Sequence, residues 1–461
     1  MKRLLVFAYF FPPLGGAGVQ RMVKLVKYLP VHGWRATVVT VRNRDYWMDD
    51  ASLEAEIGPQ IDVVRTASVT GLSLLRRLAP HQAGRATTAE RGANRGSARG
   101  SARGLRRLRR WANWCLIPDS YIGWVPFALG AGERLLRSGR YDALLTTSSP
   151  DSAHLIGRRL AQRHRLPWIA DFRDPWTRRM SFDPPTRWHR ARHIALERSV
   201  LSRAARVTVT SEATRRDYLE RYPELAAEKI AVVTNGFDEA DFAACEGIEP
   251  PRTPFEILHA GQLNPERPAR PLLVGLAAFL AREPAAREVM RVRFLGPCYE
   301  TDRAAARELG LASVVAFEPA RPHAATVAAL CRSHLLLLME QESERGGLIL
   351  PGKIFEYLRA RRPILALVPP GAAEDLVHEL GVGRCCRPSD PAGIADALGF
   401  YYNLYRNNEL SGTALGPDQL GRFERSALAR RMGHLLEATV AATADRGPKP
   451  PGDKILPSEP T

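Results

Sequence analysis

Short apolar runs alternate with amphipathic helical stretches along nearly the whole chain, and that alternation leaves few folds open. Leu4–Phe10 reads as a strand, and FPPLGGAGVQ then turns the chain. Val19, Met22, Val23, Val26 and Leu29 recur at helical spacing, and Ala36–Val41 is a second apolar strand. Strand, helix, strand in that order predicts parallel pairing through a right-handed crossover. Further strands are expected at Asp142–Thr147, Trp168–Phe172, Val207–Thr210 and Ile230–Val233, with a helix over Ser152–His164. A polar stretch, Ala243–Pro254, carries Pro250 and Pro251 and reads as a linker. The alternation then resumes with strands at Phe255–Ala260, Arg291–Leu295, Val314–Phe317, Leu335–Met339 and Pro363–Val368. Two Rossmann-like, doubly wound α/β domains in tandem, with a cleft between them, are therefore expected. Their bounds are 1–245 and 253–415, followed by helices at 416–445 that pack back on the first domain and a Pro-rich disordered tail at 446–461.

Charge and cysteine usage narrow the class. The net charge is +17, and His81–Arg110 holds nine arginines against one acid, Glu90, a local net of +8. Rich in Gly, Ala, Ser and Thr, this segment reads as a mobile basic insertion over about 82–108. Clustered arginine attracts the phosphates of an anionic membrane surface or of nucleic acid, and a merely solvated insertion fits equally. Six scattered cysteines form no CxxC pair and no Cys/His cluster, which suits idle thiols in a reducing cytosol. Lys2 and Arg3 precede an apolar run, but it ends at Pro12–Pro13 without a cleavage site and reads as a first strand. No apolar run approaches the ~18–20 residues that span a bilayer. A cytoplasmic protein, peripheral at most on the inner membrane face, is the expectation.

The chemistry concentrates in loops at strand ends. Pro351–Leu367 follows an apolar strand and a loop carrying Gly346 and Gly347, so backbone N–H groups come beside Lys353 and Glu356. Such N–H groups suit a diphosphate, and an early carboxylate suits a sugar diol, which suggests a nucleotide-sugar site. Gly15, Gly16 and Gly18 lie between the first strand and its helix, where backbone can approach a phosphate or sugar closely. Arg21 replaces the third glycine of GxGxxG, and the second strand ends in Val41–Arg42 instead of an acid, which disfavours a dinucleotide oxidoreductase. ADFRDPWT places Asp171, Arg173 and Asp174 at a strand end, able to grip hydroxyls, a phosphate or a leaving-group proton. A salt-bridged turn with Trp176 beneath it is the alternative. Trp111, Trp114, Trp124 and Phe127 surround IPDSYIGW and suit either a membrane interface or the first core, with Asp119 an acceptor contact. Gly261 permits close approach after a strand, and Arg267 with Lys353 can neutralise a diphosphate, unless both are solvated cations. The loops Gly296–Tyr299 and Glu318–His323 are expected near a nucleobase, and Glu340, Glu342 and Glu344 form an acidic cluster.

Five segments in this order, FPPLGGAGVQR, WIADFRDPW, TNGFD at 234–238, HAGQL at 259–263 and PGKIFEYLRARRPILAL, resemble the retaining glycosyltransferases of family 4. The resemblance implies GT-B architecture, with a nucleotide-diphosphate sugar on the C-terminal domain and a glycan or lipid-linked acceptor on the N-terminal one. It also implies retention of configuration with neither metal nor dedicated cofactor, and no DxD motif is present. On this reading Gly16, Gly261, Arg267, Lys353 and Glu356 bind the donor, with Glu356 on the ribose. Gly15, Gly18 and Asp119 meet the acceptor, and Asp171, Arg173 and Asp174 carry catalysis. The family often has a second acid eight positions before Glu356, where this chain has Leu348, so that acid is missing or displaced to Glu342 or Glu344. Two rivals stay open: a GT-B-shaped nucleotide-sugar epimerase, and a non-enzymatic protein that binds anionic surfaces or nucleic acid through its arginines. Nucleic acid is not the expected partner.

Overall fold

The computed structural model describes residues 1–42, 51–69, 114, 116–343 and 345–444. The basic insertion, Trp111, Cys115, Glu344 and the tail lie outside these residues. Two parallel sheets organise the chain. The first is ordered β3-β2-β1-β4-β5-β6-β7. Its strands are β1 (Lys2–Phe7), β2 (Trp34–Val41), β3 (Asp62–Thr66), β4 (Ala143–Thr147), β5 (Trp168–Phe172), β6 (Arg206–Val209) and β7 (Ile230–Val232). The second is ordered β10-β9-β8-β11-β12-β13. Its strands are β8 (Phe255–Ala260), β9 (Met290–Leu295), β10 (Val315–Glu318), β11 (Leu335–Met339), β12 (Ile364–Leu367) and β13 (Gly383–Cys386).

The central strands read as unbroken apolar runs because helices cover both faces of a parallel sheet. Leu4–Phe7 and Leu335–Leu338 are fully buried. The helix Ala17–Tyr28 lays Val19, Met22, Val23 and Val26 on the first core. Two of the four edge strands, β3 and β13, escape the apolar pattern: DVVRT and GRCC are half-covered, so no continuous run marks them. Leu428, Ala429, Met432 and Leu436 of the last helix, Arg425–Ala444, pack into the first core, and Lys2 pairs with Glu437. The chain thus crosses to the second sheet and returns.

Strand order reverses between β1 and β4 in the first sheet and between β8 and β11 in the second. Adjacent connections leave such a point in opposite directions and open a crevice at the carboxyl ends of the strands. The loops there are Pro12–Gly18 and Ser148–Asp151 in the first sheet, and Gly261–Ala269 and Glu340–Ser343 in the second. The two crevices adjoin, because Ser211 Oγ and Thr214 Oγ1 donate to the Leu348 carbonyl at 2.7 and 3.0 Å, and Arg345 donates to the Phe182 carbonyl at 3.1 Å.

Candidate active site

The second sheet's crevice gathers Gly261, Arg267, Lys353 and His259. Gly261 follows β8 at φ +141°, in the region where only glycine is unstrained, and a Cβ there would lie 2.8 Å from the Lys353 Nζ. The ammonium group therefore rests on bare backbone. It is buried and has no hydrogen-bond partner. Burial, with Arg267 nearby, pushes its pKa down to about 8, against the pull of Glu340 and Glu356. His259 is fully buried and its Nδ1 bonds the Leu337 carbonyl at 2.9 Å. Burial and then the Lys353 charge hold its pKa well below the ordinary range, so the ring is neutral, Nδ1 donates, and Nε2 is an acceptor without a partner. Arg267 pairs with Glu340 at 2.9 Å and donates to the Gln262 carbonyl at 3.0 Å, leaving its buried Nε unpaired. Beside them a cavity of about 280 Å³ is lined by Arg267, Pro271, Met339, Glu340, Gln341 and Ser389 among others.

The Lys353–Arg359 helix is only seven residues long. The anion preference of this crevice therefore rests on the Lys353 ammonium more than on a helix dipole. Glu356 sits one turn in, with its side chain 23% exposed and Oε1 3.7 Å from His323 Nε2. His323 also meets Asp241 at 3.3 Å, and Asp241 meets Lys24 of the first domain at 3.4 Å. Burial raises the Glu356 carboxyl, and His323 and the buried Arg425 oppose that rise. Glu342, one of the two positions expected for the displaced acid, accepts the Ser389 amide and hydroxyl at 2.9 Å each. At Leu348 the main-chain carbonyl joins the domains instead.

In the first sheet's crevice the expected catalytic group divides. Asp171 is fully buried. Register explains this: Thr147, Asp171 and Thr208 stand side by side on β4, β5 and β6. Both threonine hydroxyls donate to the carboxylate, at 2.8 and 2.7 Å, and Arg21 adds an ion pair at 2.8 Å. Burial pushes the Asp171 carboxyl up, and Arg21 with the two hydroxyls outweighs that, leaving it below its ordinary value. A carboxylate so enclosed touches no substrate, which corrects its assignment to catalysis. Arg21 goes on to bond the carbonyls of Val233 and Thr234 at 2.9 and 2.6 Å, tying the strand to the residues that follow β7. The arginine that excluded a dinucleotide fingerprint thus has a structural task.

Asp119 fastens two loops, its two oxygens accepting the amides of Tyr121 and Ser152 at 2.9 Å each, and it lines a cavity at this edge of the sheet. Arg173 lies across Gly18, where a Cβ would overlap its guanidinium at 1.3 Å, and Gly16 opens the first helix at φ +109°. Gly15 is buried in the same loop, and Asp174 is half-buried beside Arg179. These five remain at the crevice. Sequence reasoning passed over Asp151 and Arg179, which pair inside a cavity here. Their only signal is position, at the ends of β4 and β5 beside the switch point. Among the described residues no group of His, Cys, Asp and Glu is arranged to hold a metal, and no helix is long and apolar enough to cross a membrane.

Residues 15–236 match the family described as Glycosyl transferase 4-like domain. No curated protein matches the chain by sequence. Among solved structures the chain is similar to sucrose-phosphate synthase from Thermosynechococcus elongatus, at 14% identity and TM-score 0.61 over 96% of this chain and 100% of that one. It is also similar to an alpha,alpha-trehalose-phosphate synthase (UDP-forming) from Burkholderia vietnamiensis, at 13% identity and TM-score 0.61 over 96% and 100%. The lipopolysaccharide outer core galactosyltransferase WaaB is similar at 14% identity and TM-score 0.57 over 95% and 99%. At such identities the likeness is one of fold, and that fold is GT-B.

Proposed function

We infer that this glycosyltransferase family 4-like enzyme of GT-B fold moves a sugar from a nucleotide-diphosphate donor, held by the second sheet's loops, to a hydroxyl of a glycan or lipid-linked acceptor at the first sheet's crevice. One observation carries the donor half: the buried Lys353 ammonium has no hydrogen-bond partner among the described residues. An unpaired buried charge is expensive, and a diphosphate would supply the missing acceptors. Lys353 and Arg267 then stabilise the negative charge that builds on the departing diphosphate. Glu356 offers a carboxylate to the ribose hydroxyls. Retention of configuration fits an attack from the face the leaving phosphate occupies, with a phosphate oxygen taking the acceptor proton. The arginine-rich segment at 82–108 supports a station at an anionic, cytoplasmic membrane face.

The test is calorimetric titration of the full chain with UDP, GDP and ADP and their sugars. Lys353→Met is expected to weaken the preferred nucleotide about 10- to 150-fold, the equivalent of one lost hydrogen bond to a charged group. The free variant should unfold at the same or a higher temperature, because it no longer buries a bare charge. Equal affinity in wild type and variant, or binding of no nucleotide at all, refutes the donor site.

A further inference from the structure

A cavity of about 200 Å³ opens at the carboxyl edge of the first sheet, lined by Asp119, Asp151, Trp176, Arg179, Phe182 and His193 among others. Its polar groups can be followed one by one. Arg179 donates from Nε to the Trp176 carbonyl at 3.4 Å, from one terminal nitrogen to Ser149 Oγ at 3.1 Å, and from the other to Asp151 Oδ2. Each of its three nitrogens is thus engaged once. Asp119 is closed by two backbone amides. His193 accepts from the Trp176 indole at 3.1 Å, and burial, helped by Arg179, holds it at about 4, so it is neutral.

One atom remains. Asp151 is 2% exposed, and its Oδ1 has no hydrogen-bond donor. Burial pushes the carboxyl up to about 7 against the pull of Arg179, as befits a carboxylate short of one donor. The cavity is thus lined by three carboxylates, Asp119, Asp151 and the exposed Asp183, against one ion-paired guanidinium, with one buried acceptor oxygen in want of a donor. A phosphate entering here would meet three carboxylates and only a guanidinium already ion-paired with one of them. A hydroxyl or ammonium group would complete Asp151, with Phe182 and the neighbouring Pro118 and Pro184 against the C–H face of a ring.

Resting on the transferase reading above, we propose that this cavity is the acceptor subsite and that Asp151 selects a neutral or amine-bearing sugar over a sugar phosphate. The test uses the full chain saturated with the nucleoside diphosphate chosen by the calorimetric series. Methyl α-glucoside, methyl α-glucosaminide and glucose 6-phosphate are the probes, titrated by calorimetry. One or both of the first two should bind, and glucose 6-phosphate at least tenfold more weakly. Asp151→Asn should weaken the sugar that binds tenfold or more while nucleoside diphosphate affinity holds, which also certifies the fold of the variant. The ranking of probes on the wild type needs no variant. Tighter binding of glucose 6-phosphate, binding of none of the three, or an Asp151→Asn variant equal to wild type overturns the subsite. Nucleotide binding without the expected sugar binding sinks only this subsite, whereas failure of nucleotide binding sinks the donor reading itself.

Discussion

Replacing Asp171 by Asn separates a structural carboxylate from a catalytic one. The fully buried Asp171 carboxylate accepts from Arg21, Thr147 and Thr208, and Arg21 is itself 4% exposed. Removing one partner of a buried ion pair strands the other charge and costs about 3–5 kcal/mol. Arg21 retains the Val233 and Thr234 carbonyls, which points to the lower end, about 3 kcal/mol. With a urea dependence of about 3 kcal/mol per molar, the first domain's unfolding midpoint should fall by about 1 M. The pH dependence has a definite sign. A carboxyl held below its ordinary value stabilises the fold above its unfolded pKa, near 4, and loses that contribution as pH falls through the lower folded value. Wild type and Asp171→Asn should therefore differ in midpoint at neutral pH and converge under strongly acid conditions. Chemical denaturation followed by tryptophan fluorescence reads both, since Trp168 and Trp176 flank the site. An unchanged midpoint accompanied by a thousand-fold loss of turnover would sink the structural account and restore Asp171 to catalysis.

Two further outcomes follow from the donor crevice. Nucleoside diphosphate affinity should be full below pH 8 and fall as pH rises through the free Lys353 value of about 8, because bound phosphate favours the charged form. Calorimetry in buffers of different ionisation heat should show proton uptake near that pH, absent from Lys353→Met. Gly261→Ala should lower nucleotide affinity and thermal stability together. Its Cβ lies 2.8 Å from Lys353 Nζ at φ +141°, and a variant with wild-type affinity would show that the close approach is dispensable.

The alternation of apolar runs and helices carried the tandem sheets, and the loops at both switch points were legible from it. Side-chain direction was not. Asp171 and Lys353 both read as charged groups near the carboxyl ends of strands. One is consumed by threonines that only strand register brings alongside, together with an arginine 150 residues away. The other is left bare by a glycine 92 residues before it, and no local pattern distinguishes the two. The loop-fastening task of Asp119 was hidden for the same reason, since the Ser152 amide that it accepts from belongs to a different loop. Conversely Asp151 carried no motif, and only the counting of donors around it separates it from an ordinary turn aspartate.

Counted that way, the two sides of the cleft differ in the sign of the charged group each leaves unsatisfied. The second sheet's crevice has an ammonium without an acceptor, and the first sheet's cavity has a carboxylate oxygen without a donor. A diphosphate matches the former and is repelled by the latter, whereas a polyol hydroxyl matches the latter. The same pair of vacancies therefore sorts donor from acceptor by charge before any sugar stereochemistry is read. With Leu348 in place of the usual acid and Glu342 tied to Ser389, the donor side holds few described groups that could discriminate one hexose from another. Selectivity for the transferred sugar then has to arise from shape, or from Arg173 and Asp174 reaching across the cleft, and a substrate survey of Asp174→Asn should broaden donor use more than it slows transfer of the best donor.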